Sequence, residues 1–268
     1  MRATAWIAAN VFRESVRDKV LYTLVLFAIL LMAASYLIGQ LTAGQDVKII
    51  KDLGLAATSI FGLFIAVFIG IGLVSKEVEK RSIYSLLAKP IERHQLVLGK
   101  YAGLVLTLAV NLAVMAAALY VVLAVMAWVA GPVAARAWER PAVDPLLLKA
   151  FAMTFVELSL ITAIALLFST FSTPMLSAAF TFALFIAGRF SADLRNFNQV
   201  LDSPIASGLT STLYWLLPNL APFDVRAQVV HGDPVPFGYL AMSTGYGALY
   251  IAALLVLATL IFSRRDFK

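Results

Sequence analysis

Residues 101–130 read YAGLVLTLAVNLAVMAAALYVVLAVMAWVA, thirty consecutive residues without aspartate, glutamate, lysine or arginine. A transmembrane α-helix requires about 20 predominantly apolar residues to cross the hydrocarbon core of a bilayer. Five further apolar stretches lie on either side, at residues 20–39, 53–75, 146–168, 174–188 and 239–262. The sequence therefore predicts an all-α fold, a polytopic transmembrane helical bundle of six spans, of which the fifth is the shortest.

The composition of the whole chain indicates that lipid is its solvent. Of the 268 residues, 62% are hydrophobic and 13% are charged, and the mean hydropathy is +0.90. A soluble domain needs more charge to cover its surface. No hydrophilic stretch is long enough to fold a second core, so residues 1–268 are interpreted as a single transmembrane domain.

The basic residues predict the orientation of the chain. The formal net charge is +6, but these residues are scattered between the apolar spans, which argues against a nucleic-acid partner. In the six-span arrangement, 13 of the 21 lysines and arginines lie on the side of the two termini. The positive-inside rule then places both termini in the cytoplasm. The first span is too long for the apolar core of a signal peptide, so no removable leader is expected.

Residues 1–19 predict an amphipathic helix that lies in the plane of the membrane before the first span. Ile7, Val11 and Phe12 belong to its apolar arc, whereas Asn10 and Arg13 belong to the opposite arc. The charged arc suits lipid headgroups or a cytoplasmic partner, and a simple anchor without a protein partner is an equally good interpretation.

Residues 191–238 separate the fifth and sixth spans and hold five of the ten prolines, which no continuous span tolerates. The apolar part of this segment includes Tyr214 and Trp215, which suit a membrane interface. It predicts short external helices that dip into the outer leaflet. The alternative is an ordinary external loop packed on the bundle.

The longest charged connection, residues 76–100, lies between the second and third spans and is predicted to be cytoplasmic. Ile83, Leu86 and Leu87 form an apolar stripe with helical spacing. Lys89 then precedes Pro90, which cannot continue that helix but suits the first position of the next one. The segment is therefore predicted to form two short helices joined by a proline corner.

This connection carries a resemblance to a known family, through EVEKR at 77–81, LLAKP at 86–90, Arg93 and LGKY at 98–101. The pattern resembles the cytoplasmic coupling helix of type-2 ABC transporter permeases, the membrane subunits of many bacterial ABC exporters. The span count, the N-terminal helix, the external segment and FSRRDF at 262–267 also fit, so the resemblance covers nearly the whole chain. Relatives tend to have a small hydroxyl residue where this chain has Glu92, although a carboxylate is still favourable at a helix N-terminus.

The resemblance implies a multi-pass permease of the bacterial inner membrane that exports a substrate by alternating access. In that family two permease subunits, identical or similar, pair, and each docks its cytoplasmic helix into one of two separate ATPase subunits. ATP and magnesium are then bound by the ATPase. The residues to which the resemblance assigns coupling are Glu79, Arg81, Lys89, Pro90, Arg93 and Lys100. A plainer interpretation is that these charges only obey the positive-inside rule.

The residues of the chain itself offer no recognisable site for ATP, a metal or another cofactor. A phosphate loop of the form GxxxxGK[ST] does not occur, since His94 and Tyr101 stand where a glycine and a hydroxyl residue would flank Gly99 and Lys100. There are no cysteines, and His94 and His231 are far apart in the sequence. We therefore expect no catalysis, no metal and no cofactor in this chain.

Two polar residues inside predicted spans are candidates for the translocation path. Glu157 lies in the middle of the fourth span, where an ionised carboxylate is costly unless it is paired or hydrated. It is predicted to face the bundle interior, either as an acid linked to substrate or gating or as a structural hydrogen-bond partner. Asn111 in the third span is more often a contact between helices than a ligand. Gly99 and Gly103 form a small-xxx-small pair that permits close helix approach.

Two other classes of protein stay open at this point. A membrane-embedded enzyme or assembly factor that acts on a lipid or a periplasmic protein would use the acid–base residues of the external segment. These residues lack metal or catalytic spacing and are Asp193, Asp202, Asp224, His231 and Asp233. An ion-coupled transporter would usually show internal repeats with broken helices, and none is recognisable.

Overall fold

The computed structural model describes residues 2–40, 46–79, 92–135, 138, 140–190 and 217–264. These residues form eight α-helices and one 3-10 turn, and no strand occurs among them. The helices are α1 (Arg2–Val16), α2 (Lys19–Gln40), α3 (Asp46–Glu79), α4 (Arg93–Ala135), α5 (Leu147–Ser169), α6 (Pro174–Arg189), α7 (Arg226–His231) and α8 (Phe237–Arg264), and the turn is Ala221–Phe223. The predicted all-α fold is confirmed.

Five of the helices are long and apolar enough to cross a membrane. Their spanning stretches are Lys19–Gly39, Asp46–Ile71, His94–Gly131, Leu147–Ser169 and Phe237–Ser263. They correspond to the first, second, third, fourth and sixth predicted spans. Helix α4 is the longest, and its backbone departs from helical geometry at Gly131, where φ is +72°. Glycine tolerates that conformation, so the end of the third span is encoded locally.

Helix α6 takes the place of the fifth predicted span and has 16 residues. At 1.5 Å per residue it is about 24 Å long, shorter than the hydrocarbon core of a typical bilayer. Its first residue is Pro174, which follows Thr173 in extended geometry and fixes the start of the helix. The six-span arrangement therefore stays a prediction.

Helix α1 has the amphipathic character that the sequence predicts. Val11 is 4% exposed on its inner face, whereas Asn10 and Arg13 are exposed. The inner face packs on the start of α4 at Gly99 and Gly103. A Cβ atom on Gly99 would lie 2.8 Å from the Cβ of Ile7, and one on Gly103 would lie 2.6 Å from the carbonyl oxygen of Ala8. The close approach expected of this glycine pair is confirmed.

Helix α5 lies at the centre of the bundle, where it contacts α3, α4, α6 and α8. Two glycines of α3 allow the closest of these contacts. A Cβ atom on Gly62 would lie 2.4 Å from Cδ1 of Leu158, and one on Gly70 would lie 2.6 Å from the Cβ of Ala165. Membrane helices pack through such small residues, because apolar side chains gain little by leaving lipid for one another.

The described part of the predicted external segment, residues 217–236, packs on the bundle, and we call it the strap. Leu220 and Phe223 are 0% and 1% exposed, and α7 contacts α3 and α5. Helix α7 ends at Gly232, whose φ of +78° is the left-handed conformation common after helices. Tyr214 and Trp215 lie outside the described residues, so the helices expected to dip into the leaflet stay a prediction.

Candidate functional site

Glu157 is buried at the centre of α5, with a side chain that is 2% exposed. The helix places it there because Glu157 lies midway along 23 mostly apolar residues, in a helix that contacts α3 and α6. A buried carboxylate is stable only when a cation or hydrogen-bond donors compensate its charge.

Arg189, the last residue of α6, supplies that compensation. Its Nη2 donates a hydrogen bond to Oε2 of Glu157 at 3.0 Å, and its Nη1 donates to Oδ2 of Asp224 in the strap. The guanidinium also lies over the ring of Phe185, 5.6 Å from its centroid, where a cation is attracted to the aromatic face. Arg189 therefore joins α5, α6 and the strap.

Asp224 and Arg226 complete a chain of alternating charges. Nε and Nη2 of Arg226 donate to Oδ1 and Oδ2 of Asp224, each at 2.9 Å, which is the bidentate geometry that arginine favours with carboxylates. The backbone N–H of Arg226 also donates to Oδ1, at 3.3 Å. We call Glu157, Arg189, Asp224 and Arg226 the ion cluster.

The strap members of the ion cluster have shifted acidities. Burial by itself would raise the pKa of Asp224, but the hydrogen bonds from Arg226 and the charges of Arg189 and Arg226 outweigh it and hold this pKa well below its usual range. The hydrogen bond to Asp224 raises the pKa of Arg226. Both groups are therefore charged across the physiological range.

Among the described residues, one buried oxygen of the ion cluster accepts no hydrogen bond. Oε1 of Glu157 lies 3.0 Å from Nη2 of Arg189 but accepts no well-aligned hydrogen bond. Nη2 directs its hydrogen bond to the other carboxylate oxygen. Such a cluster holds three elements together electrostatically, and it weakens whenever one of its charges is displaced or neutralised.

A second buried pair joins α3 to the connection between α4 and α5. Lys51 is 1% exposed, and its Nζ donates to the carbonyl oxygen of Pro141 at 2.9 Å and lies 3.5 Å from Oδ2 of Asp144. The hydroxyl of Tyr120 donates to the backbone carbonyl of Asp144 at 3.0 Å. Lys51 and Asp144 are both buried, so we assign the pair to stability.

The structure separates the two predicted translocation residues. Nδ2 of Asn111 donates to the carbonyl oxygen of Thr107, one turn earlier in α4, at 2.8 Å. Its amide thus bonds within its own helix, whereas Glu157 is part of the ion cluster. A transport role for either residue stays a prediction.

Three of the predicted coupling residues lie outside the described residues, namely Arg81, Lys89 and Pro90. Glu79 ends α3 and Arg93 begins α4. Lys100 is 5% exposed on α4, between the two glycines that contact α1. Glu92 precedes α4 and accepts the backbone N–H of Gln95 at 3.0 Å through its carbonyl oxygen. The carboxylate of Glu92 is therefore close to the helix N-terminus, where we expect it to be favourable.

The acid–base residues considered for an enzyme do not assemble in the described part of the chain. Asp224 is held by two arginines, and Nδ1 of His231 lies 2.9 Å from the carbonyl oxygen of Ala227 in its own helix. Asp193 and Asp202 lie outside the described residues. No group of three histidines, aspartates or glutamates that would suit a metal ion occurs among the described residues.

Sequence reasoning found Glu157 but missed its partners. Arg189 and Arg226 entered only the count of basic residues, and Asp224 was considered as an acid–base candidate. A local signal did exist, because Arg189 follows directly on an apolar helix and Asp224 and Arg226 are two positions apart. That Asp224 and Arg226 join Arg189 and Glu157 in one cluster depends on the return of the strap to the bundle.

The architecture is that of a multi-pass membrane protein with a buried ion cluster. A family model described as ABC-2 family transporter protein matches residues 5–267. The chain therefore belongs to the ABC-2 transporter family, as the resemblance in the cytoplasmic connection implies. Members of this family are membrane subunits of transporters and are not themselves catalytic. No curated protein matches the chain.

Proposed function

We propose that this chain is the membrane-spanning permease subunit of an ABC exporter that is driven by a separate ATPase. The observation that carries the proposal is the match of the ABC-2 family to residues 5–267, a range that includes all of the spanning helices. The sequence contains no phosphate loop, so the proposal assigns ATP and magnesium to the partner ATPase.

The proposed topology has six spans, with α6 as the fifth. An even number of spans places both termini on the same side, and the excess of lysine and arginine there favours the cytoplasm of a bacterial cell. The strap then lies at the outer surface of the inner membrane. The buried contacts of Leu220 and Phe223 support a strap that closes the outer end of the bundle.

The proposed complex contains two permease subunits, identical or similar, and two ATPase subunits. Residues 76–100 dock on the ATPase and transmit its closure to α3 and α4, the helices that this connection joins. Because α3 packs on α5 through Gly62 and Gly70, a shift of α3 reaches the centre of the bundle. Alternating access then follows from movement of packed helices.

The test is an affinity pull-down of the tagged chain from mildly solubilised membranes of its native host, followed by mass spectrometry. An ATPase in near-stoichiometric amount is expected, and Arg93→Glu should release it, because reversal of a basic charge disrupts a docked polar contact. Arg17→Glu is the matched control, with the same charge change outside residues 76–100. It should retain the ATPase.

Reproducible recovery of the chain without an ATPase would contradict the permease assignment. It would favour a membrane-embedded enzyme or assembly factor instead. Release by both variants to the same extent would contradict the assignment of coupling to residues 76–100, because a general effect of basic charge would then explain the loss.

A further inference from the structure

A groove of about 530 Å³ lies beside the ion cluster, between α3, α6 and the strap. Its volume falls in the range of small-molecule sites in proteins, about 300–1,000 Å³. The lining residues that matter for recognition are of two kinds. The apolar ones are Ile60, Leu63 and Ile186, and the polar ones are Ser59, Arg189 and Arg226.

Charged side chains line the polar end of the groove. Two guanidinium groups and the carboxylate of Asp224 line it, whereas Glu157, which neutralises Arg189, is buried and does not line the groove. The side chains of Arg226 and Asp224 are 26% and 30% exposed, so they are accessible to a ligand. With Glu157 included, the charges of the ion cluster sum to zero, so a preference for an anion rests on the accessible guanidinium groups and not on net positive charge.

The same end has donors that the protein does not use. Within the described part of the chain, Nε of Arg189 and Nη1 of Arg226 donate no hydrogen bond, since the bonds of these arginines come from their other nitrogen atoms. The Ser59 hydroxyl likewise has no hydrogen bond to a described residue, although its neighbour Thr58 donates to the carbonyl oxygen of Gly54. Phosphate and carboxylate oxygens suit such arginine donors.

The apolar end of the groove suits an alkyl chain. Ile60 and Ile186 are 53% and 55% exposed and belong to two different helices that flank the groove. Leu63 lies one turn from Ile60 on α3 and is 8% exposed, so it forms the floor. In a membrane this end lies among the acyl chains, while the arginines lie toward the end of α6 and the strap.

We infer that the groove binds an anionic amphiphile. Its phosphate or carboxylate head group contacts Arg189, Arg226 and Ser59, and its alkyl chain lies along Ile60, Leu63 and Ile186. The inference rests on the proposed function in that it names the class of molecule exported, whereas the binding itself does not require the ATPase. A bound anion competes with Asp224 for Arg226 and so loosens the strap.

The binding test uses the purified full chain in a neutral maltoside detergent, without ATPase, and radiolabelled dodecyl phosphate as the probe. Saturable binding is expected. Inorganic phosphate should compete at least about tenfold more weakly, because it lacks the chain that occupies the apolar end. Dodecyltrimethylammonium should not compete, since its head group is cationic. Equal competition by either compound would overturn the inference of an anionic amphiphile.

Two variants locate the site. Arg226→Gln should weaken binding about tenfold or more, because a hydrogen bond from a charged donor is lost. That change also disturbs the ion cluster, so Ile186→Trp provides a second variant, which fills the groove and leaves every ion pair intact. Leu249→Trp on α8 is the matched control at another exposed apolar position, 75% exposed, and should bind the probe normally.

If Ile186→Trp and Leu249→Trp change the binding of dodecyl phosphate to the same extent, the probe binds elsewhere and the inference is overturned. The inference also fails if Ile186→Trp abolishes dimerisation while probe binding is unchanged, since the groove would then be covered by a second copy of the chain. Recovery of an ATPase in the pull-down without dodecyl phosphate binding would overturn only the substrate class. Binding without an ATPase partner would contradict only the proposed function.

Discussion

Helices α5 and α8 have the same mean hydropathy, 2.1, and opposite surroundings. Of the most apolar part of α5, 78% is buried, against 22% for α8. Hydropathy thus predicts that both cross the membrane and says nothing about which one lies at the centre. Lipid solvates apolar side chains as well as another helix does, so other features decide which helix lies at the centre of the bundle.

Polar and small residues mark the central helix. Glu157 and the hydroxyl residues Thr154, Ser159 and Thr162 of α5 are all buried, and glycines of α3 meet its backbone closely. Helix α8 has small residues too, yet a Cβ atom on Gly245 would meet nothing within 4 Å. Gly247 of α8, in contrast, lies against Val156 of α5, so a small residue marks a close contact only where a neighbouring helix packs on it.

The largest expected effect is that of Glu157→Ala, which removes the charge that α5 contributes to the ion cluster. Arg189 is left partly unpaired in a buried site, and breaking a buried pair in this way costs about 3–5 kcal/mol. Equilibrium unfolding in mixed micelles measures the loss. Leu249→Ala on α8 is the matched control and should change the free energy of unfolding by no more than about 0.5 kcal/mol, as is usual for surface positions.

Similar losses for these two variants would contradict the distinction between α5 and α8, because centre and periphery would then be energetically equivalent. Glu157→Gln separates the effect of charge from that of volume. The amide retains the shape and one acceptor, so a loss smaller than that of the alanine variant is expected, since the charge is removed but the cavity is not created.

The second largest effect concerns the stability that the strap loses at acidic pH. Because the pKa of Asp224 in the folded chain is held below its unfolded value, ionised Asp224 stabilises the fold above about pH 4 and this contribution is lost as the pH falls further. Asp224→Asn should therefore lower the free energy of unfolding by about 1.5–3 kcal/mol at pH 7, the range for hydrogen bonds to charged groups. It should also weaken the dependence of that free energy on pH in the acidic range.

Unfolding measured between pH 7 and pH 3 tests this, with hydrogen exchange of residues 217–236 as a local readout. The strap should exchange faster in Asp224→Asn at pH 7, and the amides in the second half of α8 should not, because the hydrogen bonds that join α8 to the strap involve Tyr239 and Tyr246 in its first half. If stability falls with pH in the same way in the parent chain and the variant, Asp224 does not hold the strap.

The smallest effect is expected from one substitution made at two glycines. In Gly70→Ala the new methyl group would lie 2.6 Å from the Cβ of Ala165, so α3 and α5 must separate, at a cost of about 1–3 kcal/mol. Gly245→Ala meets open space and should be neutral or stabilising by up to about 1 kcal/mol. Thermal unfolding of both variants in one detergent measures the difference, and equal midpoints would refute it.

Local patterns predicted much of the fold. Apolar runs located five spanning helices, and the alternation of apolar and charged residues located α1. The Gly99 and Gly103 pair predicted a close helix contact, because spacing along one helix is a local property. The five spans end within four residues of the predicted ends, whereas the second and third begin seven residues earlier than predicted.

The candidate site was predictable only in part. Glu157 is conspicuous because a carboxylate is rare within an apolar run. Its partner Arg189 lies 32 residues later in the sequence, and Asp224, which Arg189 also binds, lies 35 residues after Arg189. No local rule links such positions. Asn111 is equally conspicuous in the sequence, yet its amide bonds within its own helix.

The order of residues is enough to establish that the chain is a membrane protein, which stretches are long and apolar enough to span a bilayer, and to which family it belongs. The first two properties follow from the cost of placing polar groups in hydrocarbon, which acts on each residue separately, and the third follows from the pattern of residues along the chain. Only the folded arrangement reveals that α5 is central, that the strap returns to the bundle, and that four distant charges form one cluster beside a groove. Those features depend on contacts between distant segments, and hydropathy carries no information about them.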